Sequence, residues 1–173
     1  MREAIRVATT VPMGPVSVEI PIDVQAAHIE LPADLAPVAP LTLPAAQAED
    51  VQALVHVLKQ AKRPMLWVGG GALEAGAEIQ ALADLGIPVV SSTHGRGILP
   101  DDHPRSLGAF HNAEAVEQLL AEADVVVVVG SRLRSNETKT YSIRLGQSLV
   151  QIDASPMAQQ RNYTVDHFWC ADS

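Results

Sequence analysis

The chain has 173 residues, 12 of them basic and 20 acidic, for a formal charge of −8 with histidine neutral. That length suits one domain with a fragment of another, and a 47% apolar fraction excludes a wholly disordered chain. The net acidity argues against nucleic acid as the main partner, because phosphate backbones require a basic footprint.

In chain order, residues 2–9 read as the tail of a helix, and Pro15 to Pro21 alternate as a strand. Both precede a proline-rich stretch and resemble the last helix and strand of a different domain, spanning 1–24. Residues 25–45 carry Pro32, Pro37, Pro40 and Pro44. That spacing blocks helix, weakens strand pairing and predicts an extended linker. Residues 46–173 read as one compact domain. Val51, Leu54, Val55 and Leu58 sit at i, i+3, i+4 and i+7, predicting an amphipathic helix over 46–61. Met65 to Val68 is a strand ending in Gly69, Gly70 and Gly71. Residues 72–85 read as a helix with Ile79, Leu82 and Ala83 on one face and Gly86 as its C-cap. Ile87 to Val90 is a second strand. Asn112 is the expected N-cap of a helix bearing Val116, Leu119, Leu120 and Ala123. Val125 to Val129 is an unbroken valine run. A β-branched run without alternation requires a strand buried on both faces, hence the middle of a parallel sheet. Leu149 to Ile152 and Val165 to Trp169 complete the set. Strand and helix in this alternation predict a doubly wound α/β domain with helices on both faces of a mostly parallel sheet.

In an open parallel sheet, ligands sit beyond the carboxyl ends of the strands. Four segments there are candidates: Gly69–Gly71, Ser91–Gly97, Gly130–Arg134 and Asp153–Ser155. The glycines would let a phosphate approach the backbone, or they make a tight turn with close helix packing. They do not complete a dinucleotide fingerprint, because Glu74 stands where the third glycine belongs. Arg132 and Arg96 could hold a diphosphate, bridge subunits or pair with Asp101 and Asp102. The six histidines form no metal set; His103 and His111 suit loop hydrogen bonding, His56 should be solvated, and His94 sits in the glycine loop. No nucleophile elbow is present. Cys170, the sole cysteine, reads as a small buried apolar residue. A single cysteine excludes an intrachain disulfide and makes a reducing cytoplasm the expected compartment. The longest apolar run, Ala123 to Val129 with Asp124 inside it, is far short of the ~20 residues a membrane helix needs. Met1 is followed by Arg2 and Glu3, so no signal peptide is expected.

Five segments in order, GPVSVEIPIDV (14–24), RPMLWVGGGA (63–72), LGIPVVSSTHGRGILPDDHP (85–104), ADVVVVVGSRL (123–133) and LVQIDASP (149–156), resemble the thiamine-diphosphate-dependent enzymes of the acetolactate synthase and 2-oxo acid decarboxylase type. The resemblance implies that 1–24 ends a pyrimidine-binding domain and that 46–173 is the central domain. A third, diphosphate-binding domain has no counterpart in the sequence. Thiamine diphosphate and Mg2+ would then belong to the parent enzyme, a lyase or transferase, with no catalytic or metal residue in this piece. Its partners would be the missing domains, in a homodimer or homotetramer. Central domains of this family bind FAD, ADP or nothing. The matching positions are Gly70, Gly71, Ser92, Thr93, His94, Ser131, Arg132, Asp153 and Ala154. Two departures bear on FAD: Ala109-Phe110-His111-Asn112 replaces a second glycine-rich turn, and Arg134, Ser135 and Asn136 stand where acids follow the arginine. Against the central-domain reading stand a free-standing nucleotide-binding oxidoreductase domain and a ligand-free oligomerisation module.

Overall fold

The computed structural model describes residues 1–10, 13–30 and 44–172. The chain divides into two units, Met1–Leu43 and Pro44–Ser173. In the first, α1 spans Arg2–Thr9 and α2 spans Ile22–Ala26. Residues 15–21 form no strand. The alternation of Val16, Val18 and Ile20 is real, but these side chains are exposed and among the described residues no strand pairs with them. Most of the proposed linker, 31–43, lies outside the described residues.

In the second unit the elements run α3 (Ala48–Gln60), β1 (Pro64–Val68), α4 (Gly76–Asp84), β2 (Val89–Ser91), α5 (Glu114–Glu122), β3 (Val125–Val129), β4 (Ser148–Asp153) and β5 (His167–Cys170). The five strands form one sheet in the order β2-β1-β3-β4-β5. Every pairing is parallel. The valine strand β3 is third of the five, and all its residues are buried. Its register sets Val127 opposite Leu66 on one side and Val150 on the other.

The pleat then sorts side chains into two cores. Val125, Val127 and Val129 join Leu66, Val68 and Val150 beneath Ile79 and Ala83 of α4, with Leu54, Val57 and Leu58 of α3 packed against them. Val126 and Val128 join Met65, Trp67 and Leu149 beneath Val116 and Leu120 of α5. Helices therefore cover both faces, which is why the valine run shows no polar alternation. Each buried valine contributes roughly 1.5–3 kcal/mol by leaving water.

Several boundaries differ from the sequence reading. The helix expected over 72–85 begins as a 3-10 turn, Gly70–Ala72, and becomes α-helical only at Gly76. Gly86 does follow its end, at φ +100°, and donates its amide to the Ala83 carbonyl at 2.8 Å. Asn112 is not the cap of α5: Ala113 holds that position, without a side-chain bond. The last strand begins two residues later than expected, because Val165 is buried in the irregular segment that precedes β5. Cys170 is exposed rather than buried; β5 is an edge strand with little cover at its end. At the opposite edge, residues 105–108 shield β2. Val89 and Ser91 donate to the carbonyls of Arg105 and Gly108, and Leu107 donates to Val89. That segment satisfies a strand edge that would otherwise invite pairing.

One polar contact ties the sheet entrance together. The Asp124 carboxylate accepts the amides of Lys62 at 2.6 Å and Arg63 at 3.0 Å. It holds the turn before β1 against the start of β3. Burial pushes its pKa up, but these two amides, with its own and that of Val125, outweigh burial and hold it below the ordinary carboxylate value.

Candidate functional site

The strand order reverses direction between β1 and β3: the chain steps outward to β2 on one side, then to β4 and β5 on the other. The crevice at such a reversal, beyond the carboxyl ends, is the default ligand position. All nine residues singled out from the sequence reach this edge. Gly70 and Gly71 follow β1. Ser92, Thr93 and His94 follow β2, Ser131 and Arg132 follow β3, and Asp153 ends β4 with Ala154 after it.

Close packing fills the crevice's floor. A Cβ on Gly69 would lie 2.3 Å from the Gly130 oxygen, and one on Gly130 would lie 2.6 Å from the Ala72 nitrogen. A Cβ on Gly95 would lie 2.4 Å from the Val68 oxygen. Gly69 donates its amide to Val129, and Gly71 donates to Gly130 at 3.0 Å. Backbone meets backbone here, so these glycines are needed for packing whatever else they hold.

Around that floor the edge is lined with buried polar groups: Ser92, Ser131, Glu137, Thr138, Gln151, Asp153 and Ser155. Most have a partner. The Ser92 amide donates to Val68, and its hydroxyl accepts the Gly95 amide at 3.1 Å. Thr93 donates its amide to Glu137 Oε1 at 3.2 Å. Ser131 Oγ accepts the Leu133 amide, and the Ser131 carbonyl accepts Gln151 Nε2. Asp153 Oδ1 accepts the Ser155 amide at 2.8 Å. Ser155 Oγ alone among these hydroxyls is buried without a partner.

The remaining candidates resolve individually. Arg96 pairs with Asp101 at 3.7 Å, as one sequence alternative had it. His103 bonds Asp84 Oδ1 at 3.1 Å and accepts the Arg105 amide. His111 is buried, with Nδ1 at 3.1 Å from the Ser91 carbonyl and its ring 5.4 Å from that of Trp67. His56 is exposed. Among the described residues no three His, Cys, Asp or Glu side chains converge to hold a metal.

Sequence reasoning missed Glu137. It is 4% exposed and closes the loop after β3 onto the loop after β2, a long-range contact that no local pattern signals. It also missed a cavity of about 410 Å³ lined by Arg132, Arg134, Ser135, Asn136, Tyr141, Arg161 and Asn162. The spacing Arg132-x-Arg134 was a usable signal. Leu133 between them takes φ +49° and is buried at 1%, so the chain tucks leucine into the core and leaves both arginines on the cavity. Arg161 arrives from the return between β4 and β5.

The thiamine pyrophosphate enzyme central domain model matches residues 51–173. The chain is 35% identical over 135 residues to the acetolactate synthase isozyme 1 large subunit of Escherichia coli K12, covering 76% of this chain and 24% of that protein. It is 34% identical over 150 residues to glyoxylate carboligase of Escherichia coli O157:H7, covering 83% and 25%. Among solved structures, a Mycobacterium smegmatis protein assigned to the thiamin diphosphate-dependent enzymes superimposes with a TM-score of 0.70 at 30% identity, over 99% of this chain and 34% of that one. The chain spans about a quarter of the length of the curated relatives it matches.

Proposed function

The chain belongs to the thiamine pyrophosphate enzyme family, as its central domain, and from that premise we propose that residues 46–173 are the structural middle layer of an acetolactate synthase-like lyase or transferase acting on 2-oxo acids. The observation that carries this reading is the family match over 51–173, laid on an all-parallel five-stranded sheet with its valine strand central. Residues 1–24 we assign to the end of the preceding pyrimidine-binding domain and 25–45 to the linker. The parent protein we place in the cytoplasm as a homodimer or homotetramer. Among the described residues no helix is long and apolar enough to cross a membrane.

Thiamine diphosphate and Mg2+ belong to the parent enzyme in this proposal. Among the described residues no three His, Cys, Asp or Glu side chains converge, and the proposal assigns no catalytic step to them. Their work is positional: the sheet supplies a rigid plate, and its carboxyl edge supplies polar groups. If that edge holds FAD or ADP, the contacts are Gly70, Gly71, Ser92, Thr93, His94, Ser131, Arg132, Asp153 and Ala154. The free-standing oxidoreductase alternative loses ground to the family match and to the missing ribose-binding acid after β2, where Ser91 and Ser92 stand. The test is an assay of the purified chain with pyruvate and other 2-oxo acids, thiamine diphosphate and Mg2+. No carbon dioxide should form; sustained release would overturn the assignment of the chemistry to other domains.

A further inference from the structure

We propose that the outer side of α3 is a docking surface for a second copy of this chain, the two helices packing antiparallel about a two-fold axis. This goes beyond the homodimer or homotetramer placed above, to which no surface was assigned. Its first support is incomplete burial. α4 buries Ile79 and Ala83, and α5 buries Val116 and Leu120, whereas none of the 13 residues of α3 is buried. Leu54, Val57 and Leu58 turn toward the sheet and are only partly covered. Beside them runs a second stripe, Ala48, Val51, Val55 and Lys59, at intervals of three and four residues. That spacing keeps the four on one helical face. All four are exposed, Val51 at 49% and Val55 at 44%. An apolar pair one turn apart, followed by a base, is thus left without cover.

The second support is charge, and it selects the occupant. The first turn of α3 carries Glu49 and Asp50, and its last turn carries Lys59. An antiparallel neighbour of the same sequence sets each Lys59 against the other copy's acidic turn, so the surface complements itself. With Val51 and Val55 of one helix lying on Val55 and Val51 of the other, Lys59 comes alongside Ala48, whose small side chain leaves room for the lysine stem. Parallel packing would instead bring acid to acid and base to base. A two-fold contact uses the same patch on both copies and closes at two. Acids in the first turn and a base in the last also suit the helix's own dipole, and the two uses respond differently to charge reversal. A 13-residue helix is about 20 Å long. One such pair covers less than the ~800 Å² per partner of a standard interface, so the dimer of this chain should be weak.

The test is sedimentation equilibrium of the 173-residue chain at loadings from about 10 μM to about 1 mM. A reversible monomer–dimer equilibrium is expected. Val55→Asp should leave only monomer across the range. Its melting temperature should stay nearly unchanged, because residue 55 lies outside both cores, and circular dichroism checks that. Leu119→Asp, at a similarly exposed position on α5, changes the helix on the opposite face of the sheet and should leave the dimer intact. Lys59→Glu should weaken association about tenfold. Adding Glu49→Lys and Asp50→Lys to Lys59→Glu should restore association and at the same time lower the melting temperature, because the reversed charges oppose the helix dipole. Charges that served the dipole alone would give the second effect without the first. A chain that stays monomeric up to about 1 mM would overturn the proposal. So would a dimer that survives Val55→Asp, or a triple variant that associates no better than Lys59→Glu. None of these outcomes bears on the 2-oxo acid assay, so the family-level reading and this interface fail separately.

Discussion

Gly71 donates its amide to the Gly130 carbonyl at 3.0 Å, and a Cβ on Gly71 would lie 2.8 Å from the Gly130 Cα. The turns leaving β1 and β3 are thus in direct backbone contact at the reversal of strand order. Gly130 also takes φ +61°, so it meets two requirements that no side chain satisfies. Gly130→Ala should destabilise the domain by roughly 3 kcal/mol, from overpacking plus left-handed strain. Gly97→Ala has φ +87° but open space around its Cβ, and should cost about 1 kcal/mol. Urea unfolding of the two variants checks the contrast; equal losses would mean that packing at the crevice floor is unimportant.

Val127→Asp should prevent folding. Val127 is 1% exposed and paired on both sides by Leu66 and Val150, so no water or cation can reach the new carboxylate. Insoluble protein, or a chain without a cooperative melt, is the expected outcome. A soluble variant that melts cooperatively would show that β3 is not central.

Asp124 should make stability depend on pH at the acid end. Its pKa is lower folded than unfolded, because backbone amides outweigh burial. The unfolded chain therefore binds the proton more readily, and folding stability falls as pH drops from the ordinary carboxylate range through the depressed folded value. Above the unfolded pKa the contribution is fully present. Asp124→Ala should cost roughly 1 kcal/mol at neutral pH, discounted for partial solvent access, and should flatten the acid limb of the stability curve. An unchanged acid limb would contradict the assigned hydrogen bonds.

Deleting residues 1–40 should leave the melting temperature nearly unchanged. Both hydrophobic cores draw only on residues between Leu54 and Trp169. Pro44, which accepts the Asp172 amide at 2.8 Å, remains in the shortened chain. A large fall on calorimetric melting would show that the first unit contributes to the core.

The α/β class was legible because Val125 to Val129 obeys one constraint only, burial on both faces. Leu66 and Val150 followed the same rule, so β1 and β4 were placed within a residue or two. The misses have separate physical causes. Val16, Val18 and Ile20 alternate like a strand, but alternation does not supply a neighbour to pair with. Val165 is apolar because an irregular segment is buried there, not because a strand passes through it. Asn112 sits one residue before the N-cap, where its side chain makes no capping bond. At the carboxyl edge the nine chosen positions could be placed, since each ends or follows a strand. Glu137, Tyr141 and Arg161 could not, because their proximity to Thr93 or Arg132 depends on how two irregular loops fold back, and no local period encodes that.

The central claim is that this domain is a layer of a thiamine-diphosphate enzyme and not the holder of the cofactor. Calorimetric titration of the purified 173-residue chain with thiamine diphosphate in the presence of Mg2+, repeated with EDTA, tests it most directly. No magnesium-dependent heat of binding is predicted. Tight binding that is abolished by EDTA would contradict the account.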